Sequence, residues 1–275
     1  MINRTFTKTL LAVAATLAVG GMTAGARADT IKSVGEGPVV SSPAYNLTSL
    51  GNVDWVTVNS NGTNGIVLNS KAGGSGISGV TVYPRGLSTK PGLGFGGGFS
   101  YTDGVSPTSA TNETNFAQSP TQSSGTTYAP PTITFNVTAD GNAQQLTVYS
   151  SIYIPQGGAT VYANDVYTLG NLTPVNDLRQ ESSTSSSAFY KAYHDTIDFT
   201  GTAGETLTVN LHVSGGHNGD NVALGLAAAN LSDVPEPASL VLFSVAGAGL
   251  LLASKSEYST NCSGPPLPVT VKLAV

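Results

Sequence analysis

The side chains with the most obvious chemistry are three histidines and a scatter of carboxylates. His212 and His217 bracket Val213-Ser214-Gly215-Gly216, with Asp220 just beyond. A zinc site needs three or four converging ligands whose spacing a helix or turn fixes, and no such set is assigned here. His212 shares the polar side of its stretch with Thr208 and Asn210, which reads as a solvated surface histidine. His194-Asp195 precedes a strand pattern without any serine motif. The GxSxG, HExxH and SxxK signatures are absent, so nucleophilic or zinc hydrolysis has no visible machinery. Glycoside hydrolysis requires two carboxylates at a suitable separation. Asp54, Asp103, Asp140, Asp165, Asp177, Asp195, Asp198, Glu205 and Asp220 would supply a pair only if two met in a cleft. Most sit at turns, where local backbone hydrogen bonds account for an Asp. The reading is a non-enzyme with no catalytic residue.

Two loops bear on calcium, which wants several carboxylate and carbonyl oxygens. Asn59 to Gly65 has no carboxylate and reads as a turn, while His217 to Asn221 has one. A structural calcium ion is the only cofactor considered, and none is assigned. Glycan recognition would use aromatic rings beside amides and hydroxyls. Trp55, Tyr149, Tyr153, Tyr162 and Tyr167 are the rings considered, and the first four carry the expectation. Tyr149 and Tyr153 fall on the polar side of one strand, each two positions from Ser151, which is compatible with a platform. The competing reading is cross-strand packing, or Trp55 as a core residue.

The elements that must position these groups are strands. Ile133, Phe135 and Val137 alternate with Thr132, Thr134, Asn136 and Thr138. Leu146, Val148, Ile152 and Ile154 alternate with Thr147, Tyr149, Ser151 and Tyr153, and Leu207, Val209, Leu211 and Val213 with Thr206, Thr208, Asn210 and His212. Period-2 alternation makes strands with one buried and one wet face. Further strands are expected at 53–58, 65–68, 80–83, 98–101, 160–162 and 193–199, and 222–226 extends the pattern. Asn61-Gly62, Asn64-Gly65, Asp103-Gly104, Asp140-Gly141, Gly157-Gly158 and Gly215-Gly216 are turn signals between them. Gly92 to Gly98 and Ser182 to Ser187 read as long loops. With no 3.6-residue period and no internal repeat, the expected fold is all-β, an antiparallel two-sheet sandwich over residues 29–232.

Composition narrows the setting. Of 275 residues only 10% are charged, with a net charge of -5 and a single Cys; a typical soluble domain carries about 25% charged residues. One Cys excludes an internal disulfide or a CxxC site. An acidic chain without a basic run is unsuited to nucleic acid. The 40% apolar content supports a core. Abundant Ser, Thr and Asn suit a hydrated, polysaccharide-rich surrounding.

Both ends carry sorting patterns. Arg4 and Lys8 precede the apolar run Leu10 to Val19, and Ala26-Arg27-Ala28 offers a small-x-small cleavage site, so residues 1–28 read as a signal peptide for Sec export. Downstream, Val234-Pro235-Glu236-Pro237-Ala238-Ser239 leads into the uncharged run 238–253, slightly shorter than the roughly 20 residues of a typical span. This end resembles the PEP-CTERM sorting signal of Gram-negative bacteria. The resemblance implies that Pro235, Glu236 and Pro237 are recognised by an exosortase, a membrane-embedded cysteine transpeptidase, and that 233–253 is a sorting motif with a transient inner-membrane helix. The family's Arg-rich tail is replaced here by residues 254–275, whose only basic side chains are Lys255 and Lys272. That atypical tail reads as disordered, and Cys262 within it is given no role.

The order of Val53-Asp54-Trp55, Gly73 to Ser78, Phe99 to Gly104, Ala139 to Val148 and Ala203 to Val209 resembles a secreted β-sandwich often found ahead of that signal. The resemblance implies a jelly-roll-like, carbohydrate-binding-module-like domain and brings no catalytic residue. The expectation is an exported cell-surface or extracellular-matrix protein of structural or adhesive type. A carbohydrate-binding module for extracellular polysaccharide and a secreted hydrolase are the alternatives.

Overall fold

The computed structural model of the chain describes residues 28–38, 45–60, 66–83, 98–114, 116–120, 122–124, 127–156, 160–182, 188–215 and 222–234. Residues 1–27 of the expected signal peptide, the Pro235-Glu236-Pro237 motif, the apolar run 238–253 and the tail lie outside the described residues. So do His217 and Asp220, and with them the one carboxylate-bearing loop considered for calcium. The chain divides into two units, Met1–Val234 and Pro235–Val275.

The domain is all-β, as the alternation requires. A first sheet has the order β1 (Thr30–Pro38), β15 (Phe189–Thr200), β12 (Ala143–Ile154), β17 (Ala223–Asp233), β3 (Asp54–Ser60), β4 (Ile66–Ser70), and β8 (Ala117–Pro120) also pairs with β17. A second sheet has the order β14 (Val175–Ser182), β13 (Thr160–Leu169), β16 (Thr206–Gly215), β11 (Thr132–Thr138), β5 (Ile77–Tyr83). Every pairing within these two sheets is antiparallel. The inward rows of both sheets make one core, in which Ile133, Phe135, Val148, Ile197, Val209 and Leu224 are buried. The Asp140-Gly141 signal marks the crossing from β11 in the second sheet to β12 in the first. Gly141 there has φ 94, and Asp140 Oδ1 accepts from the Asn142 N–H at 2.8 Å.

A third layer departs from the two-sheet expectation. A small sheet of β2 (Tyr45–Asn46), β6 (Phe99–Tyr101) and β7 (Ala110–Glu113) accompanies the single-turn α1 (Leu47–Leu50). Their side chains join a second apolar cluster with Trp55, Phe116, Tyr149, Ala192, Ala227 and Ala228. These residues alternate with members of the main core, such as Val56, Val148 and Tyr193, so the cluster covers the outer face of the first sheet. β17 is therefore buried on both faces from Ala223 to Leu231, with small residues outward where rings press down. A Cβ on Gly225 would stand 2.8 Å from the Phe116 ring. β9 (Gln122–Ser124) and β10 (Thr127–Ala129) form a separate two-stranded pair.

β14 is a strand that alternation did not announce. Its Asp177, Arg179 and Glu181 point toward the interior, while Leu178 stands 68% exposed. The hydrophobic rule is inverted along this edge. Inward charges on an edge strand also discourage further strands from adding to it.

Candidate functional site

The strongest concentration of ionisable groups lies between the sheets, where β13, β14 and β15 face one another. Asp165, Tyr167, Arg179 and Asp195 are each at most 5% exposed. One guanidinium nitrogen, Arg179 Nη2, donates to both carboxylates: to Asp165 Oδ2 and, at 2.5 Å, to Asp195 Oδ2. Tyr167 donates its hydroxyl to the same Asp195 oxygen at 3.0 Å. The Arg179 guanidinium lies over the Tyr193 ring, 4.6 Å from its centroid. Nearer the surface, Glu181 accepts from Lys191 Nζ and from the Tyr193 hydroxyl, both at 2.5 Å.

Two carboxylates facing one guanidinium carry one negative charge too many for a dry interior. Burial pushes the Asp165 carboxyl well above the usual carboxylate range; Arg179 opposes this, and Asp195 and Asp177 add to it. Burial likewise raises the Tyr167 phenol. Asp165 therefore retains a proton that the unfolded chain releases near pH 3.9, about the ordinary Asp value. The native state binds more protons between that pH and the raised folded value, so this group's contribution to stability falls as pH rises through the window. Asp165→Asn mimics the protonated form, with its oxygen toward Arg179 and its amide toward Asp195. Urea unfolding across pH 4–8 should show the variant with a higher midpoint at neutral pH and a shallower fall than the parent. Parallel pH curves for the two proteins would contradict the retained proton.

This arrangement meets half of the condition set for glycoside hydrolysis: two of the named carboxylates do converge. They converge on one nitrogen inside a sealed core, which leaves no space for a sugar between them. Asp54, Asp103, Asp140, Asp198 and Glu205 serve locally. Asp54 is buried and accepts from the N–H groups of Trp55 (2.8 Å) and Ile77 (2.9 Å), with burial raising its pKa against those bonds. Asp103 accepts from Thr48 Oγ1 at 2.6 Å and Trp55 Nε1 at 3.0 Å, and Lys71 Nζ lies 3.9 Å away. Asp198 accepts from Gln145, and Glu205 from the Thr202 N–H. Among the described residues no group of three or more His, Cys, Asp or Glu could hold a metal.

The proposed sugar-stacking rings separate. Trp55 is fully buried, with its ring 4.5 Å from Tyr101. Tyr149 is 3% exposed beneath Tyr45 and Phe99, so its side of β12 is dry where alternation read it as wet. Neither ring has a face to offer a ligand, because the third layer covers it. Tyr167 is in the core, committed to Asp195. Tyr153 stays half-buried and pairs across strands with Tyr190, ring centroids 4.8 Å apart. Gln118 donates to the Tyr190 hydroxyl at 3.2 Å. Tyr162, 39% exposed, stands on the outer face of the second sheet, as does His212.

Sequence reasoning missed Arg179, Tyr190 and Gln118. Tyr190 partners Tyr153 from another strand, which no along-chain spacing reveals. Arg179 had a legible signal in the charges at 177, 179 and 181, the period of a strand. No family model matches the chain, and a search of curated proteins finds no match.

Proposed function

We propose that the chain is an exported bacterial cell-surface or extracellular-matrix protein of structural or adhesive type. It crosses the inner membrane by the Sec route and is sorted by an exosortase at Pro235-Glu236-Pro237. The observation that carries this reading is where the last described strand ends. β17 ends at Asp233, and the Val234 N–H donates to the Ala143 carbonyl at 2.9 Å. The strand thus ends two residues before the first proline of the motif, the order that a detachable sorting segment needs. Residues 1–28 support the same route with a basic start, an apolar run and a small-x-small end. The domain is read as a jelly-roll-like, carbohydrate-binding-module-like sandwich.

Fractionation of producing cells tests the reading. The mature chain should begin at Asp29 and be recovered from the envelope, surface or medium. Replacing Pro235-Glu236-Pro237 with alanines should trap it in the inner membrane. A chain that retains Met1 and stays in the cytoplasm defeats the proposal.

A second reading, a carbohydrate-binding module with a defined ligand, is favoured by the Tyr153–Tyr190 pair and by Tyr162. These rings keep accessible surface beside amide groups. A secreted hydrolase gains nothing from the sealed Asp165–Asp195 pair.

A further inference from the structure

The second sheet places its charges inward and none outward. Asp165, Asp177, Arg179 and Glu181 all lie on its core side. The outward positions of its five strands hold no Asp, Glu, Lys or Arg, and His212 is the one imidazole. A soluble surface is usually about 25–35% charged. Among the described residues no element packs over this face, whereas the outer face of the first sheet is covered by its third layer.

What stands there instead is a lattice of short hydroxyl and amide side chains held in register. Thr134, Asn210 and Val166 lie side by side across β11, β16 and β13, and Asn136, Thr208 and Thr168 form the next row. Rows repeat about every 6.7 Å along the strands and about 4.8 Å across them. Asn164 Oδ1 and Asn210 Oδ1, both near the middle, are covered yet accept no hydrogen bond among the described residues. Tyr83 at 62% exposure and Tyr162 at 39% flank the lattice with ring surface.

We propose that this face is a binding surface for a neutral polysaccharide. Hydroxyl and amide groups each supply donors and acceptors, which is what a sugar edge presents in return. Threonine is stiff at χ1, so its hydroxyl is already positioned and little side-chain freedom is lost on contact. The flanking tyrosines can stack on the C–H faces of sugar rings. An anionic polymer would find no Lys or Arg to pair with among the described residues of this face, and nucleic acid is disfavoured for the same reason. A second copy of this chain is disfavoured as well: a stable interface has an apolar centre, whereas here Val166 sits among hydroxyls and amides and the exposed Leu178 lies on the edge strand. A repeating ligand suits a repeating lattice, since many weak contacts along one polymer add up to useful retention.

The proposal deepens the glycan-binding reading and is independent of export, because it is tested on purified protein. The full chain is mixed with microcrystalline cellulose, chitin and an insoluble neutral β-glucan, with alginate beads as the anionic comparison, and the bound fraction is measured. Retention on at least one neutral probe is expected, with little change up to about 0.5 M salt, where surface charge contacts are screened. Thr208→Asp sets a charge in the middle of the lattice and should reduce retention about tenfold or more, since the sugar would have to strip water from it. Tyr162→Ala, near the rim, should lower it severalfold with an unchanged unfolding midpoint, which covers the case of Thr208→Asp failing to fold. The proposal is overturned by retention on alginate alone, by no retention on any neutral probe, or by equal retention of parent and both variants. Concentration-dependent dimers that Thr208→Asp abolishes would also overturn it, assigning the face to self-contact. Cytoplasmic location in the fractionation experiment would remove the export reading and leave these outcomes unaffected.

Discussion

Replacing Arg179 with Met should destabilise the domain by about 3–5 kcal/mol, the typical cost of removing one partner from a buried ion pair. The side chain lies between two carboxylates and over the Tyr193 ring, and its guanidinium is the cation that both carboxylates share. Met fills a similar volume without any donor. The Asp165 and Asp195 carboxyl groups would then face each other without the cation they share, and the Tyr167 hydroxyl offers Asp195 a hydrogen bond but no compensating charge. Adding Asp165→Asn and Asp195→Asn to Arg179→Met should recover much of the loss, because a charge-free set of similar shape is often as stable as the ion pair. Denaturant unfolding of the parent, single and triple variants measures this directly. A single variant within about 1 kcal/mol of the parent would mean that the cluster behaves like an exposed salt bridge.

Trp55→Ala should cost about as much, 3–5 kcal/mol, for a different reason. The indole is fully buried between the first sheet and its covering layer, against Tyr101. Truncation opens a cavity that the surrounding strands cannot fill. It also deprives Asp103 of one of its two side-chain donors, the other being Thr48. Trp55→Phe keeps most of the apolar contact and loses the indole N–H, so its cost should be nearer 1 kcal/mol. The chain has one Trp, so far-UV circular dichroism rather than fluorescence must follow unfolding. If Trp55→Ala left the midpoint unchanged while weakening sugar binding, Trp55 would be a ligand contact and the third layer mobile. The expected order is the reverse, a large loss of stability with any binding loss following it.

The uncharged outer face of the second sheet and the ion cluster differ in how far the chain announced them. Thr132, Thr134, Asn136 and Thr138 alternate with buried residues, as do Thr206, Thr208, Asn210 and His212, and the structure sets these rows outward and side by side. That much was readable because an antiparallel strand with one wet face repeats every second residue. β14 was not readable as a strand, because Asp177, Arg179 and Glu181 occupy the positions where alternation looks for apolar side chains. Their burial depends on Asp165 and Asp195, which come from other strands.

The same contrast separates Tyr149 from Tyr162. Both occupy the polar phase of their strands, and the pattern treats them alike. One is sealed under Tyr45 and Phe99, the other keeps 39% of its surface. The amino-acid order alone determined that the domain is built of alternating strands and which side chains share a face. Tertiary structure alone decided which of the two outer faces is covered, which charges meet in the interior, and which aromatic rings remain within reach of a ligand. The physical reason is that alternation sorts a strand's residues into two sets, and what then packs against each set comes from segments distant along the chain.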